Sequence, residues 1–132
     1  MAANDRQVAG THYKNGSYQH WDYMADIRAN YFEGCITKYV SRSRKKNGLQ
    51  DLQKARHFVE KWHEVCVKEG IRQCTHDSLL FNRFVYDNGL TPDEANICQV
   101  VLFASSPHDL QTAARMIDEL IDCHPDSRYV NQ

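Results

Sequence analysis

Between residues 49 and 69 apolar side chains return every three or four positions: Leu49, Leu52, Ala55, Val59, Trp62 and Cys66. That 3.6-residue period predicts one long amphipathic helix, closed by Gly70, whose stripe must be buried against a partner. The partner is close in sequence. A second periodic stretch, about 31–45, puts Phe32, Cys35, Ile36, Tyr39 and Val40 on one side, and Asn47-Gly48 then supplies a turn signal. Two amphipathic helices across a short turn predict an antiparallel helical hairpin.

The flanking segments extend the same habit. Ser17 is the expected cap of a first helix running to about Asn30, with Trp21, Met24, Ala25 and Arg28 on related turns. After the hairpin come "HDSLLFNRFVYDNG", a helix opened by Thr91-Pro92 with Asp93 and Glu94, and another opened by Ser106-Pro107-His108-Asp109. Proline near the first helical position and acids in the first turn are strong start signals. The fold class is therefore all-α, about six helices in total around the hairpin core. Residues 1–17, "MAANDRQVAGTHYKNGS", lack periodicity and read as an irregular N-terminal arm. Residues 1–70 form the hairpin region with its arm. Residues 71–132 form a helical extension packed on it, as a second unit or within one compact domain, with Gly70 to Thr75 as the boundary.

Charge divides at the same place. Residues 1–70 carry twelve basic and eight acidic side chains, net +4, whereas residues 71–132 carry four and nine, net −5. Most of the basic excess lies in residues 34–58, where Lys38, Arg42, Arg44, Lys45, Lys46, Lys54 and Arg56 surround one acid, Asp51. A basic half implies an anionic partner, while an acidic half tolerates a small anion better than a long polyanion. The five cysteines include no CxxC pair, and no apolar run approaches eighteen residues. Reduced thiols, a cytoplasmic setting and no membrane span are the expectations.

On the second helix Lys38, Arg42 and Lys45 share a side through i+3 and i+4 spacing. Their stems can pack while their heads line a phosphate pocket, or they can form a solvated basic face. Arg56 and His63 fall inside the apolar arc of the third helix, with Asp51 at its edge. Arg56 there either meets a ligand or pairs with a carboxylate, since an unpaired buried cation is very costly. Tyr13, Tyr18, Trp21, Tyr23, Tyr31, Phe32 and Tyr39 crowd the first forty residues. Most such rings are core by default, although rings beside basic heads also suit bases and phosphates. GxxxxGK[ST], HExxH and DxDxDG are all absent. Glu60 and Glu64 make one carboxylate pair, away from the apolar arc, with no second pair to complete a helical metal site. No protein metal site is expected, and any magnesium would arrive with a bound nucleotide.

These motifs resemble a family. Thr11-His12-Tyr13, then "GCITKYVSRSRKK" at 34–46 and "LQDLQKARHFVE" at 49–60, are similar to the ordered His-Tyr, Gly-Asn-x-x-Lys-Tyr-x-x-Arg-x-Gly-Lys-Lys and Asp-Leu-x-Lys-Ala-x-x-Tyr motifs of the phage family often labelled SaV-like. That family includes the nucleotide kinase made early by T-odd coliphages. The resemblance covers about residues 9–66. It implies a phage protein acting on nucleotides in the host cytoplasm, as a (deoxy)nucleoside monophosphate kinase without a P-loop. Carried onto this chain, Lys38 and Arg42 hold phosphates, with Lys45, Lys46 and Lys54 in support; Arg56 joins the phosphate-binding candidates from its place on the third helix alone. Lys38 and Asp51 stand at the chemistry, Asp51 orienting a lysine or accepting a proton. His12 and Tyr13 close over the base. Phosphoryl transfer would then rest on positioning and charge neutralisation.

Three positions depart from the family pattern: Cys35 replaces Asn, Arg44 replaces Gly and Phe58 replaces Tyr. They remove hydrogen-bonding groups and add charge where glycine allows close approach. They favour an alternative, a non-enzymatic counter-defence binder that sequesters a nucleotide signal or docks on a host protein. A third reading, nucleic-acid binding through residues 38–46, predicts affinity that falls steeply with salt. Pairing of hairpins into a homo-oligomer is also expected.

Overall fold

The structure, a computed structural model, describes residues 17–45, 48–72 and 74–127. Six helices and no strand are found among them: α1 (His20–Ile27), α2 (Tyr31–Arg42), α3 (Gly48–Glu69), α4 (Ser78–Asp87), α5 (Pro92–Leu102) and α6 (Pro107–Cys123). The all-α class and the hairpin stand as the periodicity predicts. Helices α2 and α3 pack on each other, α6 lies along α3, α5 bridges α6 and α2, and α1 sits on α4. No helix among the described residues is long and apolar enough to cross a membrane.

The stripe of α3 is buried as predicted, from Leu49 through Leu52, Ala55, Val59 and Trp62 to Cys66. The stripe of α2 is rotated from expectation. Ile36 and Val40 are core, but Phe32, Cys35 and Tyr39 are half-buried, and the polar Glu33, Thr37 and Ser41 are buried in their place. Each of these polar groups has a local partner. Glu33 closes a capping box with Asn30, Thr37 donates its hydroxyl proton to the Glu33 carbonyl at 2.8 Å, and Ser41 donates to the Lys38 carbonyl at 3.1 Å.

Helix α1 corrects the sequence reading twice. Its N-cap is Gln19, whose N–H donates to Asp22 at 3.0 Å, while Ser17 donates instead to Asp87 at 3.1 Å. It ends at Ile27, with Arg28 in the left-handed region at φ 57°. Its buried side is Tyr23 and Ile27, leaving Trp21 52% exposed. Tyr23 stacks on Phe84 of α4 with ring centroids 4.8 Å apart, and that contact fixes which face turns inward.

The later helix starts follow their signals: Thr91 caps α5 in a box with Glu94, and Ser106-Pro107 opens α6. The connector after Gly70 does not interrupt the core. The Thr75 N–H donates to the Ile27 carbonyl at 2.8 Å, the buried Cys74 reaches the Leu102 carbonyl at 3.3 Å, and one apolar cluster runs from Tyr18 to Ile117. Gly48 opens α3 at φ 35°, where a Cβ would stand 2.9 Å from the His124 ring, so the end of α6 docks against the start of the hairpin's second helix.

Candidate functional site

The hairpin gathers its cations around one ring. Tyr39 is half-buried on α2, stacked on Phe58 of α3 at 5.9 Å and 16°. Lys38 Nζ, Arg42 Cζ and Lys54 Nζ stand 5.2, 5.0 and 5.3 Å from its centroid. Lys38 and Arg42 flank Tyr39 along α2, and Lys54 crosses from α3 because it precedes Phe58 by one helical turn. Each cation gains from the ring's negative face, while the three repel one another. One acid lies beneath them. Asp51, fully buried in the first turn of α3, accepts from Arg42 Nε at 3.3 Å and Arg42 Nη2 at 3.4 Å. Lys38 and Lys54 make no ion pair with a carboxylate among the described residues.

Of the residues singled out from sequence, the structure thus brings Lys38, Arg42, Lys54 and Asp51 together. Asp51 accepts from the Arg42 guanidinium and is buried at the start of α3. Lys45 and Arg56 are engaged elsewhere. Lys45 Nζ donates to the Asn88 carbonyl at 2.7 Å, and its pKa is lowered by burial with Arg44 beside it. Arg56 pairs with Asp118 of α6 at 3.0 Å and with Glu60 at 3.7 Å, the carboxylate pairing foreseen as its alternative. Arg44 is also held, Nε donating to both Glu94 oxygens at 3.1 Å and Nη2 to the Gly89 carbonyl. His12, Tyr13 and Lys46 lie outside the described residues.

Beside this cluster runs an open groove of about 310 Å³ between α1 and α2, with Lys38 on its edge. Trp21 and Tyr31 wall it, and Gly34 and Cys35 lie along it. His20, also in the groove, places Nε2 2.7 Å from Thr37 Oγ1. Burial, with the Lys38 ammonium nearby, pushes the His20 pKa down to about 4, so the ring is neutral at physiological pH. Tyr31 makes edge contacts with Phe32 and Phe58, so an aromatic run links the groove to the Tyr39 cluster.

Sequence reasoning set Tyr31 beside the Lys38–Arg42 face and matched Tyr39 to the family pattern, but counted Trp21 only among many rings. The signal for the two tyrosines was position: Tyr39 lies between Lys38 and Arg42, and Tyr31 lies seven residues before Lys38. His20 carried no comparable signal. Among the described residues, no three His, Cys, Asp or Glu side chains gather as a metal site requires.

The fold and site define an all-α protein, with six helices among the described residues, whose α2–α3 hairpin presents a cationic, aromatic surface. A family model described as a protein of unknown function, DUF3310, matches residues 9–60. That span is less than half of the chain, yet it includes Gly34, Lys38, Tyr39, Arg42, Asp51, Lys54 and Phe58. No curated protein and no solved structure matches the chain.

Proposed function

We propose that this protein binds a nucleotide, with its phosphates at Lys38, Arg42 and Lys54. The observation that carries this reading is the convergence of three cations on Tyr39 with two lysines unpaired by carboxylates among the described residues. Phosphate oxygens relieve the repulsion and accept charge-assisted hydrogen bonds from both lysines and the arginine. The Arg42 plane is held by Asp51 and is therefore pre-oriented. Magnesium, where it takes part, rides on the phosphates. The phage origin and host cytoplasm implied by the family resemblance belong to the same proposal.

Calorimetric titration with pyrophosphate and with deoxynucleoside mono- and diphosphates tests it. Replacing Lys38 and Lys54 together by Ala is expected to cost about 100-fold in affinity, as loss of two charge-assisted contacts would. Unchanged affinity would overturn the assignment.

The position of Asp51 favours retention of the ligand over phosphoryl transfer. Its carboxylate is buried and engaged by Arg42, whereas a general base must be open to the hydroxyl it deprotonates. Sequestration of a nucleotide signal therefore stands ahead of the kinase reading. Incubation with a deoxynucleoside monophosphate and a γ-labelled nucleoside triphosphate separates them: tight binding with no labelled product supports sequestration, and turnover supports the kinase.

A further inference from the structure

We propose that the α1–α2 groove is a nucleoside subsite, seating the base of the ligand whose phosphates lie at Lys38, Arg42 and Lys54. It rests on the phosphate reading above and adds to it the part of the ligand that the cations cannot recognise.

Gly34 is the first observation. It stands inside α2, where glycine weakens a helix relative to any other residue except proline. Among the described residues neither usual reason for glycine applies. Its backbone is not in the positive-φ region, and a Cβ built on it would meet nothing within 4 Å among the described residues. Its effect is to leave the backbone of α2 bare along the groove, where a flat ring can approach closely.

The walls are the second observation. Trp21 is 52% and Tyr31 69% exposed, both unusual for large rings, and both line the groove. Aromatic faces are what bases stack on, and they accept any base because every base has a π-face. Lys38 is the third. It lines the groove and also stands over Tyr39, so one residue joins the aromatic slot to the cation cluster. A volume of about 310 Å³ lies within the range of small-molecule pockets, about 300–1,000 Å³. An apolar slot that opens onto concentrated positive charge matches a ligand with an aromatic ring at one end and phosphate at the other.

Gly34→Leu tests this without touching a charge. Leucine is the better helix former and its Cβ would meet nothing within 4 Å among the described residues, so the variant is expected to fold at least as well as the parent. Pyrophosphate and the four deoxynucleoside diphosphates are the probes. The parent should bind the diphosphates about tenfold or more tighter than pyrophosphate, the increment expected from one stacked base. Gly34→Leu should abolish that preference and leave pyrophosphate affinity within about twofold of the parent, since its contacts are electrostatic. Diphosphates, but not pyrophosphate, should quench the Trp21 fluorescence, a change absent in Trp21→Phe.

Equal affinity of the parent for pyrophosphate and diphosphates would overturn the subsite and leave the phosphate reading standing. So would a Gly34→Leu variant that keeps its preference. Failure of the parent to bind either probe would instead sink the phosphate reading itself, and the subsite with it. A single-stranded decanucleotide bound more than tenfold tighter than any diphosphate would replace the mononucleotide with a nucleic acid.

Discussion

Asp51 and Arg42 show how a buried charge becomes a device for orientation. The carboxylate is fully shut from water, an expensive place for it. Two features offset the cost: the start of a long helix, whose N-terminal amides favour negative charge, and two donors from one guanidinium. Removing the carboxylate takes both of these contacts from the half-buried Arg42. Asp51→Ala is therefore expected to lose about 3 kcal/mol of stability in urea denaturation. It should also weaken pyrophosphate binding by releasing the arginine plane, and a variant as stable as the parent would refute this role. The sequence already placed Lys38 and Arg42 one helical turn apart and Asp51 across the turn, because those relations are local. It could not show where Lys45 and Arg56 end. Their partners, Asn88 and Asp118, lie 43 and 62 residues further along the chain, and only tertiary packing brings them close.

The hairpin depends on the first turn of α5. Glu94 is buried, accepts from the Thr91 N–H at 2.9 Å within its own capping box, and also receives Ser43 at 3.3 Å and Arg44 at 3.1 Å. One carboxylate thus caps a helix and anchors the residues that follow α2. Arg44 is half exposed, so its ion pair contributes little by itself, and the cap with the buried hydroxyl contact carries most of the effect. Glu94→Ala should cost about 2 kcal/mol in thermal denaturation. Glu94→Gln should cost roughly half that, because the amide oxygen still accepts the cap hydrogen bond. Equal losses in the two variants would move the weight from the cap to the charge. The start of α5 was legible because Thr, Pro and Glu act locally. The inward face of α1 was not. Eight residues make barely two turns, and Trp21, Tyr23 and Met24 offer competing apolar faces that only Phe84 of α4 decides between.

Across the whole molecule, the opposed charges of the two halves meet as contacts. Arg44 with Glu94 and Arg56 with Asp118 are basic residues of the first half neutralised by acids of the second. That pairing consumes part of the basic run and leaves Lys38 and Lys54 beside the Arg42–Asp51 pair, a selection that composition alone could not reveal. The cysteines likewise acquire meaning only when packed. All five are free, and Cys66, Cys74 and Cys98 lie in the shared core. Burial pushes the Cys66 thiol up to about 11 and Cys74 up to about 12, and raises Cys98 as well. An unfolded thiol begins to lose its proton near pH 9, while these stay protonated in the fold. Above pH 9 the unfolded state therefore binds fewer protons than the folded state, and stability must fall as pH rises. The contribution is fully present below about pH 9 and is lost towards pH 11 for Cys66 and pH 12 for Cys74. Each thiol should cost on the order of 2 kcal/mol by pH 11. Melting temperature measured from pH 7 to 11 should stay level at first and then drop steeply beyond pH 9. Cys98→Ala should begin lower, because it opens a cavity, yet decline less steeply above pH 9. A decline as steep as the parent's would show that buried thiols do not set the alkaline limit.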